Sequence, residues 1–247
     1  YDYARSIGFP QINIDLIAGM VGETDANWRE NIRQLIDLSP EMVTIYQMEI
    51  PPNTVIFKEM KASGQSVAPV AGWKTKREWV RYAFAELEKA GYTVTSTTTA
   101  VKDPSKNLFL YREYLWRGAD MIGLGVASFS HVGGTHFQND SEFESYIAKL
   151  RQGRLPIHRA LTPSTEERMI REFILQMKFG QVQPKYFRDK FGMDVRERFA
   201  GTLENFKDQG LLTMNEKEIR LSREGLLRVD ELIHDFFLPQ HREVAFA

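Results

Sequence analysis

The chain has 247 residues, 43% hydrophobic and 26% charged, and its 32 basic and 33 acidic side chains leave a formal net charge of −1. That length can bury a sizeable core without staples, while the near-neutral charge argues against a protein whose main work is neutralising nucleic-acid phosphates. The absence of cysteine excludes disulfides, thiolate-bound zinc and iron–sulfur ligation by this chain alone.

No apolar run reaches the ~20 residues of a membrane helix, and Tyr1 to Ile7 carry no signal-peptide pattern. The sequence therefore reads as cytoplasmic. The first strong signal is Gln11 to Gly19, where Ile12, Ile14, Leu16 and Ile17 surround one charge, Asp15; this reads as a buried parallel strand. From about Asp25, Trp28, Ile32, Leu35 and Ile36 recur at helical spacing and Pro40 follows, which predicts a crossover helix. Met42 to Ile50, closed by Pro51-Pro52, reads as a second strand, followed by an irregular stretch to Gly72. Thr75 and Glu78 have capping-box spacing for a helix carrying Trp79, Ala83, Phe84 and Leu87, with Gly91 at its C-terminal end. Tyr92 to Val101, rich in Thr and Val, is the third expected strand. The alternation predicts parallel βα units with right-handed crossovers. Three strands are few for a free-standing α/β domain, so the sheet is expected to begin upstream of Tyr1.

Lys106 to Asp120 mixes aromatic and charged residues and leads into Met121 to Ser130, where Gly123 and Gly125 let backbone approach something closely. A capped helix is expected from about Ser141, with Glu144 three residues on, to Gly153; Arg154 to Leu161 then reads as a linker. Thr162-Pro163 looks like the N-cap and N1 pair of a helix whose stripe is Met169, Ile170, Phe173, Ile174 and Met177. Short helices are expected over Pro184 to Phe191 and Asp194 to Gln209. A hairpin should follow, with Leu211 to Met214 and Ile219 to Leu221 flanking Asn215-Glu216-Lys217, before Ser222 caps a last helix carrying Leu226, Leu227, Leu232 and Ile233. Helices, a hairpin and a closing helix resemble a winged helix. The expected units are residues 1–158 and 159–247.

Among residues that could carry chemistry, Asp15 is the most informative, because a carboxylate inside an apolar strand is costly to bury unless paired or hydrogen-bonded. Near the C-terminal end of a parallel strand, where α/β folds take ligands, it can accept bonds from a ribose or an amine. Bonds from neighbouring backbone or an arginine account for it equally well. Alternation puts Gln47 and Glu49 on one face of the second strand end and Tyr46 and Met48 on the other; a solvated strand end is the plainer account of them. His131 and His136 bracket a glycine pair, but two imidazoles without a third ligand make a poor metal site. His131, Arg112 and Arg117 suit substrate carboxylates as charge-assisted donors, with surface charge as the plainer account. No G-x-S-x-G, Walker loop or H-E-x-x-H occurs. A winged helix raises nucleic-acid binding through Lys185, Arg188, Lys190, Arg196 and Arg198, yet Asp189, Asp194 and Glu197 alternate with them, which favours a solvated amphipathic surface.

Three segments stand in family order: Gly8-Phe9 through Asn13-Ile14-Asp15-Leu16-Ile17-Ala18-Gly19, then Tyr46-Gln47-Met48-Glu49-Ile50-Pro51-Pro52-Asn53-Thr54, then Trp116-Arg117-Gly118-Ala119-Asp120-Met121-Ile122-Gly123-Leu124-Gly125. With the helical unit from Arg159 to Leu238, they resemble the radical S-adenosylmethionine (SAM) family of oxygen-independent coproporphyrinogen III oxidases and related heme chaperones, over nearly the whole chain. The resemblance implies an α/β chain: the C-terminal part of a partial (βα) radical SAM barrel with its extension, followed by a mainly helical, winged-helix-like domain. In that family a C-x-x-x-C-x-x-C loop binds a [4Fe-4S] cluster that keeps one iron open to S-adenosylmethionine. Nothing here matches that loop, so the cluster is expected only in a full-length parent and this chain alone is expected to be inactive.

By the same resemblance Asp15 stands at the carboxylate that holds the S-adenosylmethionine ribose, and Glu49 near the adenine. Phe129 and Arg112 line a second cofactor or substrate cavity, where the oxidases carry Ile and Gln. The expected cofactor contacts are thus Asp15, Glu49 and Phe129, and the expected substrate contacts Arg112, Tyr46, Gln47 and His131, with no metal ligand. The implied chemistry is reductive cleavage of S-adenosylmethionine and hydrogen abstraction from a propionate ahead of decarboxylation, which belongs to the cofactors. The implied partners are a tetrapyrrole, coproporphyrinogen III or heme, and an electron donor such as flavodoxin or ferredoxin. Tyr46-Gln47 with Asn53-Thr54 leans towards the chaperones; Gly125 to Ser130 and His136-Phe137-Gln138-Asn139 lean towards the oxidases.

Overall fold

The computed structural model describes residues 1–50, 54, 55, 57, 58, 62 and 70–242. Pro51-Pro52, Asn53 and most of the stretch expected to be irregular before Gly72 lie outside the described residues. After a short helix α1 (Asp2–Ser6), strand β1 (Asn13–Ala18), helix α2 (Asp25–Leu38) and strand β2 (Met42–Gln47) make one βαβ unit. The two strands pair in parallel from Asn13 opposite Met42 to Ala18 opposite Gln47. Thr24 caps α2 by accepting the Asn27 N–H, and Ser39 ends it in the left-handed region just before Pro40.

Helix α3 (Trp73–Lys89) starts two residues ahead of the expected capping box, so Thr75 lies inside the helix and Gly72 occupies the N-cap. The single strand expected over Tyr92 to Val101 is instead a hairpin of β3 (Thr93–Val94) and β4 (Thr99–Val101). β3 runs in the direction a second crossover would give it. The chain then reverses, and β4 inserts between β2 and β3, antiparallel to both, giving the order β1-β2-β4-β3. Local hydroxyls satisfy that tight turn: the Ser96 Oγ accepts the Thr98 N–H, and the Thr99 carbonyl accepts the Thr95 N–H. The expectation of an all-parallel sheet therefore fails at β4.

One face of this sheet is core. Ile14, Leu16, Ala18, Val43, Ile45 and Ala100 pack against Trp28, Ile32 and Leu35 of α2 and Val80, Ala83, Phe84 and Leu87 of α3. Trp28 and Trp79 stack with centroids 6.0 Å apart, and the Trp28 indole donates to the Trp79 carbonyl. The other face mixes Asn13, Asp15, Thr44, Tyr46 and Thr99 with Ile17, Met42 and Val101, and β1 is the edge strand among the described residues, with Asn13, Asp15 and Ile17 exposed.

Helix α4 (Leu110–Leu115) leads to a second, antiparallel sheet of β5 (Phe129–Val132), β6 (Thr135–Asn139) and β7 (Ile157–Leu161), with α5 (Phe143–Arg151) between the last two. Gly123 makes the close approach its sequence suggests, since a Cβ there would stand 2.3 Å from the Phe129 carbonyl oxygen. The segment expected to be a linker is largely β7, and α5 has Glu142 rather than Ser141 at its N-cap.

The remaining chain forms helix α6 (Thr165–Met177), β8 (Gln181–Val182), α7 (Pro184–Phe191), α8 (Val195–Arg198), α9 (Ala200–Asp208), β9 (Leu212–Met214) and β10 (Ile219–Leu221), with sheet order β8-β10-β9. Helices α10 (Arg223–Leu227) and α11 (Val229–Leu232), a 3₁₀ turn (Ile233–Phe236) and α12 (Pro239–Arg242) close it. Element order and strand order are those of a winged helix. Ser164, not Thr162, caps α6 in a full capping box with Glu167. The helix expected over Asp194 to Gln209 breaks at Phe199 because that ring turns into the core, 5.0 Å from both Phe173 and Phe236. No helix among the described residues is long and apolar enough to cross a membrane.

Candidate functional site

The parallel register sets the open face. Asp15 is paired with Thr44 and Ile17 with Tyr46, so all four side chains share one side of the sheet, and β4 adds Thr99. Arg112 reaches from α4 onto that face: it is only 7% exposed, and its Nη1 donates to Thr99 Oγ1 at 2.5 Å and Ser96 Oγ at 3.0 Å. Its guanidinium lies 5.2 Å from the Trp116 ring centroid, and its Nε–H has no partner among the described residues. Burial lowers its pKa, and the nearby Glu113 and Tyr46 raise it. Burial, then the Asp15 charge, push the Tyr46 phenol up, whereas Arg112 pulls it down. Asp15, Tyr46 and Arg112 therefore form one electrostatic neighbourhood. Asp15 is exposed and accepts from Asn13 Nδ2 at 2.6 Å, so it is not the buried carboxylate the apolar pattern suggested.

Gln47 and Glu49 turn to the other side, as alternation requires, and line a cavity of about 480 Å³ with Trp73, Arg77, Leu227 and Glu231. Gln47 Oε1 is buried there without a hydrogen-bond partner among the described residues. The structure thus separates this pair from Asp15 and Tyr46. Beside it lies a residue the sequence reading missed, Lys76, which is 4% exposed. Its Nζ donates to the Met48 carbonyl at 2.7 Å and sits 3.6 Å from the Trp73 ring centroid. Burial lowers its pKa, and Glu49 raises it. Gly19 makes room for the stem, since a Cβ there would come within 2.6 Å of Lys76 Cδ. The available signal was its position three residues before Trp79, on the apolar stripe of α3.

The third group lies on the β5–β7 sheet. Phe129 is exposed and borders a cleft of about 260 Å³ with His136, Phe137 and Leu161. His131 is buried, its ring centroid is 4.3 Å from that of His136, and its Nδ1 has no partner among the described residues. Burial first, then the Arg171 charge, lower both imidazole pKa values, that of His136 to about 4. No group of three or more His, Cys, Asp or Glu residues able to hold a metal occurs among the described residues. Arg117 does not join His131; it pairs with Glu113 at 2.5 Å. The basic residues of the winged helix are also committed. Lys185 pairs with Asp189, Arg188 and Arg196 with Asp194, Lys190 with Glu172, and Arg198 with Glu166. A face neutralised in this way has little charge left for phosphates.

Fold and site together define a class: a βαβ sheet unit with one open face, an antiparallel extension and a winged-helix unit most of whose basic residues are paired with its own acids. Residues 164–228 match the HemN C-terminal domain, and the chain has the fold of the C-terminal part of HemN. A solved structure of coproporphyrinogen III oxidase (HemN) from Escherichia coli, described as a radical SAM enzyme, superposes with a TM-score of 0.75. It is 19% identical and matches over 95% of this chain and 56% of its own. The heme chaperone HemW of Bacillus subtilis (strain 168) is 24% identical over 96% of this chain and 61% of its own length. The oxygen-independent coproporphyrinogen III oxidase of Helicobacter pylori (strain ATCC 700392 / 26695) is 26% identical over 94% and 53%. The chain thus spans between half and two thirds of the length of these relatives, and both oxidases and a chaperone stand among them.

Proposed function

We propose that this chain supplies the C-terminal part of an oxygen-independent coproporphyrinogen III oxidase-like radical SAM enzyme, which removes propionate carboxyls from a tetrapyrrole by oxidative decarboxylation in heme synthesis. The observation that carries this reading is the neighbourhood of Asp15, Tyr46 and Arg112 on the open face of the parallel β1–β2 pair, in a chain with the HemN fold. A carboxylate, a phenol and a buried cation with an unspent N–H together suit hydroxyls on one side and a carboxylate on the other.

With no cysteine, this chain offers no thiolate to a [4Fe-4S] cluster, so the cluster has to be held by other residues of a full-length parent. S-adenosylmethionine is a better match to the residues present. Asp15 is free to accept from ribose hydroxyls on the open face, whereas Gln47 and Glu49, turned to the other side of the sheet, stand apart from it and are not used in this reading. When bound, the two cofactors supply hydrogen-atom abstraction. The chain's own part is to bind and orient. The Arg112 Nε–H holds a propionate oxygen, the protonated Tyr46 phenol donates to the same carboxylate, and Phe129 offers the macrocycle an apolar ring. His131, kept neutral, contributes a donor without a charge.

The test uses the chain joined to whatever residues precede it in its reading frame, reconstituted anaerobically with cluster and supplied with a flavodoxin or ferredoxin as reductant. It should release carbon dioxide from coproporphyrinogen III and consume S-adenosylmethionine, and Arg112→Ala should raise KM at least tenfold. Stable heme binding with no cleavage of S-adenosylmethionine would overturn the oxidase reading and favour a heme chaperone, the alternative raised by the Bacillus relative.

A further inference from the structure

Helix α6 carries two arginines that the fold leaves unsatisfied. Arg168 and Arg171 are three residues apart and so lie on one side of the helix, and neither guanidinium has a hydrogen bond or ion pair among the described residues. The nearby carboxylates are engaged elsewhere. Glu166 is paired with Arg198, and Glu167 with His241 and the Ser164 N–H. Glu172 is paired with Lys190 and Tyr186, and Asp120 with the Gly133 N–H.

The Arg168 guanidinium packs against Gly134 in the β5–β6 turn, 3.2 Å from where a Cβ would stand. Facing the arginines is the tilted His131–His136 pair, whose His131 Nδ1 has no partner among the described residues. The spot therefore gathers two cations and two imidazoles with no free acid among the described residues. Beside it, Arg171 borders a cavity of about 380 Å³ whose walls are largely apolar, formed by Leu161, Ile170, Ile174, Phe237 and Leu238. Leu161 also borders the cleft of His136 and Phe129, so the two hollows adjoin. A half-buried pair of like charges beside an apolar hollow is unfavourable when empty, and a planar oxyanion relieves it through bidentate contacts.

We propose that Arg168 and Arg171, backed by His131 and His136, form a docking site for a carboxylate-bearing amphiphile, with the carboxylate on the guanidiniums and the apolar body in the groove between β7, α6 and the Phe237-Leu238 segment. The identity of the amphiphile as a propionate-bearing macrocycle rests on the tetrapyrrole reading above; the site itself does not.

Calorimetric titration of the whole chain with dodecanoate, protoporphyrin IX and protoporphyrin IX dimethyl ester separates the two claims. The Arg168→Gln/Arg171→Gln double variant should bind both carboxylates at least tenfold more weakly and the ester unchanged, while Arg151→Gln, at an exposed arginine of α5, binds all three like the parent chain. Thermal denaturation confirms that the double variant is folded, and imidazole ¹⁵N shifts of His131 and His136 on dodecanoate addition give a readout in the unmodified chain. Arginine-dependent dodecanoate binding without protoporphyrin binding supports the site and removes the macrocycle as its occupant. Protoporphyrin binding that ignores the double substitution overturns the site and leaves the tetrapyrrole reading standing. Failure of the unmodified chain to bind dodecanoate, with no imidazole shift, also overturns it.

Discussion

At the scale of single residues, the fold holds one imidazole far from its behaviour in water and buries one carboxylate among donors. The His136 pKa of about 4 lies below the ordinary 6.5, chiefly through burial and next through Arg171 and His131. Above 6.5 neither the folded nor the unfolded chain holds the proton, and the contribution to stability is complete. Between 6.5 and about 4 the unfolded chain takes up a proton that the folded one resists, so stability is lost as pH falls through that window. His131 is shifted in the same direction and adds to the loss. An NMR titration should find the His136 midpoint well below 6, and Arg171→Gln should move it upwards; an unmoved midpoint would mean that the Arg171 charge does not reach the ring. Glu172 matters instead through its hydrogen bonds. It is 3% exposed and accepts from the Tyr186 phenol at 2.5 Å and Lys190 Nζ at 2.8 Å. Glu172→Ala removes the carboxylate from both donors, which keep the Arg117 carbonyl as an acceptor, and should cost about 2 kcal/mol, since Lys190 is also one-third exposed. Glu172→Gln keeps one acceptor and should cost less. Equal urea midpoints for the two variants would show that the carboxylate is not the partner that matters.

At the scale of elements, α6 is the helix on which the winged-helix core and the unpaired arginines both depend, and its start is fixed by Ser164 and Glu167. Ser164→Ala removes the side-chain bond to the Glu167 N–H and should cost about 1 kcal/mol, read as a lower Tm with an unchanged circular dichroism spectrum; an unchanged Tm would show that tertiary packing alone sets the helix start. The comparison with Thr75 and Glu78 explains which elements were legible in the sequence. The same motif goes unused there because Trp73 extends α3 upstream, where its ring packs on Lys76, a contact no local pattern contains. Elements whose stripe and cap are both local were readable: α2, α7, the Ser222 cap, and the hairpin at Asn215, whose Oδ1 accepts the Lys217 and Glu218 N–H groups. β7 was not, because it buries no side chain and exists only through pairing with β6. The candidate site follows the same rule. Alternation correctly separated Tyr46 from Gln47, but the meeting of Asp15, Tyr46 and Arg112 depends on the β1–β2 register and the reach of α4. The isolation of Arg168 and Arg171 depends on where every neighbouring acid has gone.

At the scale of the whole molecule, the two hydrophobic cores are not independent. Leu227, at the end of α10 in the C-terminal unit, is 3% exposed and belongs to the core of α2, α3 and the first sheet. Thr97 ties the β3–β4 turn across the same junction, donating its hydroxyl to the Leu226 carbonyl at 3.0 Å and its N–H to the Lys178 carbonyl at 2.8 Å. The ion pairs around this seam, Arg77 with Glu231, Arg81 with Glu224 and Arg223 with Glu88, are exposed enough for salt to screen them and contribute little each. Apolar burial at Leu227 should therefore carry most of the coupling. Trp28, Trp73 and Trp79 lie on α2 and α3, whereas Trp116 packs 4.6 Å from the Phe179 ring of the C-terminal unit; in a Trp116→Phe background the emission therefore reports unfolding on one side of the seam, while amide exchange in α6 reports the other. Leu227→Ala should cost about 3 kcal/mol through a cavity in the first core, lowering the tryptophan-monitored midpoint although the substitution lies in the C-terminal unit. If the cores unfold together, exchange in α6 accelerates by the same free energy. An unchanged α6 with a shifted tryptophan transition would instead show two cores that unfold separately, and 0.5 M salt, which weakens only the ion pairs, should leave either pattern in place.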